Sequence, residues 1–176
     1  MNLRWVRSAL GFAAVVGFML SLAVHVATTL SVDVYSRFQP VWVLHFVAIA
    51  LLVSFLLSGG YHLKLDEVTA KVPTWAVLVV AVTGVYALVN TAVCAALSGE
   101  GNANVLQGQY VLTSHGRVLA HISERDYHFH RATELRLFSG IWLAACLVAA
   151  VYFLLWREDR SPGVSRAEYI RPTNPG

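Results

Sequence analysis

The feature that most constrains this chain is a series of four long apolar runs without a single charged side chain. They cover residues 9–30, 41–57, 74–98 and 137–156. The hydrocarbon core of a bilayer is about 30 Å thick, and a helix of about 20 apolar residues crosses it. The sequence therefore predicts an all-α membrane protein, a bundle of four transmembrane helices.

The composition agrees with this prediction, because 57% of the residues are hydrophobic and 13% are charged, against about 25% charged in soluble domains. Within 176 residues, the spans and their connections form one transmembrane domain over residues 1–160. The tail at residues 161–176 contains three prolines and is predicted to be disordered. Because the basic residues are scattered along the chain, we expect the lipid bilayer, and not nucleic acid, as a partner.

The orientation is predicted from the distribution of positive charge, since the side richer in Lys and Arg usually faces the cytoplasm. One side has eight such residues, which are Arg4, Arg7, Lys64, Lys71, Arg157, Arg160, Arg166 and Arg171. The other side has five, which are Arg37, Arg117, Arg125, Arg131 and Arg136. We therefore predict cytoplasmic N- and C-termini and an extracytoplasmic segment at residues 99–136.

Two β-prone runs in the extracytoplasmic segment predict a small β-hairpin between the third and fourth spans. The runs are residues 109–113 and 117–121, and Gly116 between them suits the positive φ of a tight turn. The Gly- and Asn-rich stretch at residues 99–108 is expected to be a loop. Ser123 resembles the N-cap of a helix that continues unbroken from Glu124 into the fourth span.

Several short stretches resemble a pattern found in small four-span membrane proteins of bacteria that have no established activity. They are Ser21-Leu22-Ala23-Val24-His25, Trp42-Val43-Leu44-His45, Gln109-Tyr110-Val111-Leu112, His115-Gly116-Arg117-Val118, Ile122-Ser123-Glu124 and Arg136-Leu137-Phe138-Ser139-Gly140. The resemblance implies a bacterial inner-membrane location and the four-span topology. It carries no catalytic residue over to this chain.

His25 and His45 are the first candidate site, because ionisable residues inside a span are costly and often functional. Each lies a few residues from the outer end of its helix, so the two imidazoles share a depth. Such a pair could hold a b-type haem iron from both faces. Alternatively, each imidazole hydrogen-bonds a neighbouring helix or a lipid headgroup. His25 lies on the same helix face as Gly17 and Ser21, whereas His45 has no polar neighbour on its helix. We therefore expect His45 to have apolar surroundings and the protein to contain no haem.

Two polar stripes are the second candidate. Thr83, Tyr86 and Asn90 follow each other on the third span at helical spacing, and Gly17 and Ser21 belong to a matching stripe on the first span. Small residues let helix backbones approach, and hydroxyls and amides then bond across the contact. The stripes predict a helix-packing seam in preference to a polar substrate path, since no carboxylate, Lys or Arg lies deep in a span.

The outer segment also contains titratable side chains that could form a metal site or a solvated surface. They are His115, His121, His128, His130, Glu124, Asp126 and Glu134. His130 and Glu134 have the four-residue spacing that can bring two ligands together on a helix. No metal-binding signature is present, so a solvated surface is the prediction.

These observations favour a non-catalytic accessory or structural membrane component, which associates with lipid and with other membrane proteins. The alternative is an electron-transfer protein, linked to haem b or quinone through His25 and His45. A small transporter is a second alternative, although the spans lack buried charge and an internal repeat. No catalytic motif is found, so we expect that the protein is not an enzyme.

Overall fold

The computed structural model describes residues 3–30, 32–99 and 101–156. The tail predicted to be disordered at residues 161–176 lies outside the described residues. The helices are α1 (Leu3–Thr29), α2 (Val34–Arg37), α3 (Val43–Leu57), α4 (Leu65–Lys71), α5 (Thr74–Ser98) and α6 (Glu124–Leu155). Short 3-10 turns at Gln39–Trp42 and Gly60–His62 precede α3 and α4, and the strands are β1 (Asn102–Leu106), β2 (Gln109–Ser114) and β3 (Arg117–His121).

Four helical segments are long and apolar enough to cross a membrane: Arg4–Thr29, Gln39–Leu57, Thr74–Ser98 and Glu124–Leu155. They agree with the four predicted spans. The second begins in a 3-10 turn because Pro40 stands at its start, where a proline has no amide hydrogen to lose from the helix.

Helix α6 occupies the centre of the bundle. It forms the main contacts with α1, α5 and α3, whereas α1 and α3 contact each other much less. Its inner face contributes Leu135, Trp142, Cys146 and Phe153 to the buried core. At 32 residues it is about 48 Å long, so it extends well beyond the hydrocarbon layer at one end.

That extension packs against a three-stranded antiparallel sheet, so the predicted two-stranded hairpin was incomplete. Strands β2 and β3 form the predicted hairpin, with φ 50° at His115 and 78° at Gly116. The stretch expected to be a loop contains β1, which pairs with β2 through a second tight turn at Gln107 and Gly108, with φ 52° and 77°. Two consecutive positive φ values match the twist of an antiparallel hairpin.

The predicted helix start at Ser123 is confirmed. Its side-chain oxygen accepts a hydrogen bond from the Asp126 amide at 3.1 Å, and the helix continues unbroken to Leu155. In the connection between α3 and α5, the acidic residues Asp66 and Glu67 stand in the first turn of α4 and Lys71 in its last. That order of charges favours a helix.

The two described ends of the chain meet at the side of the bundle opposite the sheet. Arg7 on α1 donates hydrogen bonds to the carbonyls of Phe153 at 3.0 Å, Tyr152 at 3.2 Å and Trp156 at 2.7 Å. The last carbonyls of a helix have no partner within it and form its negative dipole end. Arg7, on the first helix, therefore provides hydrogen-bond donors for the carbonyl groups at the C-terminal end of α6.

Candidate functional site

A polar cluster, buried at His25, Asn90 and Ser139, joins α1, α5 and α6 near the sheet side of the bundle. It consists of His25, Tyr86, Asn90, Arg136 and Ser139. His25 lies on the face of α1 that packs on α6, together with the other residues of its predicted stripe, and all of them are buried. These are Ala14, Gly17, Ser21, His25 and Thr28.

His25 is hydrogen-bonded through both ring nitrogens. Nδ1 lies 2.9 Å from Ser139 Oγ, and Nε2 lies 2.5 Å from the Tyr86 hydroxyl. Ser139 Oγ also lies 3.1 Å from the carbonyl oxygen of Arg136, which can only accept. We assign the single Ser139 proton to that carbonyl, to which Ser139 Oγ donates.

This assignment orders the protons along the whole chain of hydrogen bonds. Because the Ser139 proton is used, Ser139 Oγ accepts from Nδ1–H of His25. A neutral imidazole has one donor and one acceptor nitrogen, so Nε2 accepts from the Tyr86 hydroxyl. Tyr86, His25, Ser139 and the Arg136 carbonyl then form a relay in which every contact contains one hydrogen.

Asn90 and Arg136 form the second half of the polar cluster. Arg136 Nε donates to Asn90 Oδ1 at 3.0 Å, and Asn90 Nδ2 donates to the Arg136 carbonyl at 3.2 Å. Gly140 makes this approach possible, because a Cβ there would lie 2.6 Å from Asn90 Nδ2. A residue larger than glycine at position 140 would displace the Asn90 amide from this position.

An open groove runs between α1 and α5 beside the polar cluster. Its volume is about 420 Å³, and Leu143 of α6 forms part of its wall. Its polar side chains are His25, Thr29, Thr83 and Tyr86. The remaining lining is apolar and consists of Phe18, Leu22, Val26, Leu30 and Leu143.

His25 and His45 have different hydrogen-bond partners in the structure. The imidazole of His45 lies among the rings of Trp42, Phe138 and Trp142, and its Nδ1 accepts a hydrogen bond from Trp142 Nε1 at 3.1 Å. The expectation of wholly apolar surroundings for His45 was therefore wrong. The Trp142 indole is almost fully buried. His45 therefore provides the hydrogen-bond acceptor for the N–H group of a core side chain.

The predicted packing residues are divided between two surroundings. Gly17 and Ser21 face α6, and a Cβ at Gly17 would lie 3.0 Å from Cys146 Sγ. Asn90 also faces α6. Thr83 and Tyr86 instead line the groove, so the two predicted stripes do not pack directly on each other. The His25–Tyr86 hydrogen bond spans the space between them.

Among the outer histidines, His128 has a defined partner. Its Nδ1 lies 2.7 Å from Asp33 Oδ2, and its Nε2 lies 3.8 Å from Glu124 Oε1. Burial raises the pKa of Asp33, but hydrogen bonds from Ser36 and His128 lower it by a larger amount. The pKa of Asp33 therefore lies below the ordinary 3.8. This contact joins the α1–α3 connection to the α6 extension. Within the described residues, no group of three His, Cys, Asp or Glu could hold a metal ion.

Four membrane-length helices and a polar cluster between them define the chain as a multi-pass membrane protein. No family model matches the sequence, and comparison with curated proteins and with solved structures finds no significant relative.

Proposed function

We propose that this protein is a non-catalytic component of a bacterial inner membrane, an accessory or structural subunit of a membrane assembly. The observation that supports this function is that most polar side chains of the cluster, and His45, hydrogen-bond one another between the helices. His25 has partners on α5 and α6, Asn90 and Arg136 bond each other twice, and His45 accepts from Trp142. Such groups hold the helices in register, since each one is a hydrogen-bond partner for a side chain on a neighbouring helix.

The same contacts disfavour the electron-transfer alternative in its haem form. A bis-histidine haem needs the unprotonated nitrogen of two imidazoles directed at one iron. The unprotonated nitrogen of His25 accepts from Tyr86, and that of His45 accepts from Trp142. Haem binding would have to break both hydrogen bonds and leave the buried indole hydrogen of Trp142 without a partner.

In this proposal the two chain termini are cytoplasmic and the sheet is extracytoplasmic. The eight-to-five distribution of Lys and Arg in the sequence supports that orientation. The sheet and the α6 extension would then offer the assembly a folded surface outside the bilayer.

Two measurements test the proposed function. The purified protein, produced with an ample supply of haem precursor, is expected to show no Soret band. A Soret band that disappears in both His25→Ala and His45→Ala would establish the haem protein instead.

The second measurement addresses the assembly. The chain extracted from its native membranes with a mild detergent is expected to migrate on native gels as a larger particle than the purified chain in the same detergent. Equal migration of the two preparations would contradict a role as a subunit.

A further inference from the structure

We propose that the groove between α1 and α5 binds a neutral lipid whose head donates a hydroxyl hydrogen bond. This inference goes beyond the role as a subunit and depends on the groove lining and on the proton order of the neighbouring hydrogen bonds.

The shape of the groove suits a lipid. Its volume of about 420 Å³ falls within the range of about 300–1,000 Å³ that is usual for small-molecule sites. It is open along its side, between two helices that cross the membrane. A ligand can therefore enter from the bilayer, with its apolar chain against Phe18, Leu22 and Val26.

The charge of the lining selects a neutral head. Among the described residues, no Asp, Glu, Lys or Arg lines the groove. A phospholipid headgroup would bring a charge into a site that offers it no counter-charge, which is strongly unfavourable away from water. An uncharged polar head is accommodated by hydroxyl groups alone.

The proton order decides the direction of the hydrogen bond. In the proton order assigned above, Tyr86 donates its proton to His25 Nε2, so the Tyr86 oxygen is left to accept from a ligand. Thr29 Oγ1 likewise donates to the His25 carbonyl at 2.8 Å and retains only acceptor capacity. Tyr86 lines the groove and is 42% exposed as a residue. The head must therefore be a donor, such as a quinol or a lipid alcohol.

The test compares two ligands that differ only in this property. A decyl-substituted benzoquinol donates two hydroxyl hydrogens, whereas the corresponding benzoquinone only accepts. Binding is measured anaerobically by equilibrium dialysis against nanodiscs containing the full chain, with protein-free nanodiscs as the baseline for lipid partition. The quinol is expected to bind at least about tenfold more tightly than the quinone, as one discriminating hydrogen bond predicts.

Three variants locate the site. Tyr86→Phe keeps the ring and removes the accepting oxygen, so the preference for the quinol should disappear. Tyr152→Phe is the matched control, because it removes a hydroxyl that bonds the Ser58 carbonyl outside the groove, and it should bind as the wild type does. Leu22→Trp fills the groove from the exposed face of α1 without changing a polar group, and it should weaken binding of both ligands.

A long-chain alcohol added as competitor distinguishes the two sources of the hydroxyl group. Displacement of the quinol supports a site for lipid alcohols in general, and failure to displace it supports a site for quinol itself. Uptake no greater than in protein-free nanodiscs would overturn the proposal. So would tighter binding of the quinone, or a quinol preference that persists in Tyr86→Phe.

Discussion

Asn90 and Arg136 exchange two hydrogen bonds between α5 and α6, one side chain to side chain and one from the Asn90 amide to the Arg136 carbonyl. This reciprocal pair fixes the height of one helix against the other. It also provides a partner for the guanidinium close to the apolar part of α6.

We expect Asn90→Leu to lower the free energy of unfolding by about 1–3 kcal/mol, since Arg136 would lose the acceptor for its Nε hydrogen. The melting temperature of the purified protein in detergent measures this effect. Asn104→Leu on the exposed face of β1 serves as the control and should change stability by less than about 0.5 kcal/mol. If both variants melted alike, the Asn90–Arg136 pair would not stabilise the bundle.

Gly17→Leu should loosen the packing of α1 on α6, because even a Cβ at this position would lie 3.0 Å from Cys146 Sγ. Overpacking of this kind costs about 1–3 kcal/mol. Val16→Leu is the neighbouring control, since Val16 is 41% exposed and has room for a larger side chain. Thermal unfolding of the two variants should differ clearly, and equal small shifts would mean that this face of α1 does not contact α6.

His25→Ala should destabilise the protein more than His45→Ala. The first change leaves Tyr86 and Ser139 without their shared partner, whereas the second leaves only the Trp142 indole hydrogen without one. A buried polar group without a partner costs about 1–3 kcal/mol. Chemical denaturation of both variants in detergent compares the two losses, and the opposite order would contradict the assigned hydrogen bonds.

Stability should fall in acid through the Asp33–His128 contact. The folded pKa of Asp33 lies below its ordinary value of 3.8, so its contribution is complete above that value and is lost as the pH falls through the folded pKa. Asp33→Asn should therefore melt at a lower temperature than the wild type near neutral pH. The difference between the two should shrink in acid, and a constant difference across the titration would argue against this linkage.

A cysteine introduced at Asn104 should react with a membrane-impermeant thiol reagent in intact cells, because the proposed orientation places β1 outside the cytoplasm. Asp66→Cys on α4, at the opposite end of the bundle, should react only after lysis. Both native cysteines are buried and should contribute little background. Labelling of the two positions in the reverse order would invert the topology.

The sequence was sufficient to predict the spans and the start of α6. Long apolar runs without charged residues are compatible with a lipid environment whatever the rest of the fold. Ser123 caps its helix through a hydrogen bond to a residue only three positions away. Both signals are local. Strand β1 was missed because its apolar residues are few and its pairing depends on the turn at Gln107 and Gly108.

The arrangement of the helices could not be predicted in the same way. The residues of the stripe on α1 share one buried face, but their partner depends on which helix offers a complementary surface. Ser139 and Gly140 on α6 provide that surface, and Arg136 was assigned only to the outer segment. The small residues Gly140 and Ala144, four apart in the sequence, were a signal that could have indicated the packing face of α6.

The central position of α6 has a consequence for biosynthesis. Among the four described spans it is the last to leave the ribosome, yet α1, α3 and α5 each find their main packing surface on it. These three spans are therefore made before the surface on which they pack. The contact between Arg7 and the end of α6 likewise cannot form until Trp156 has been made.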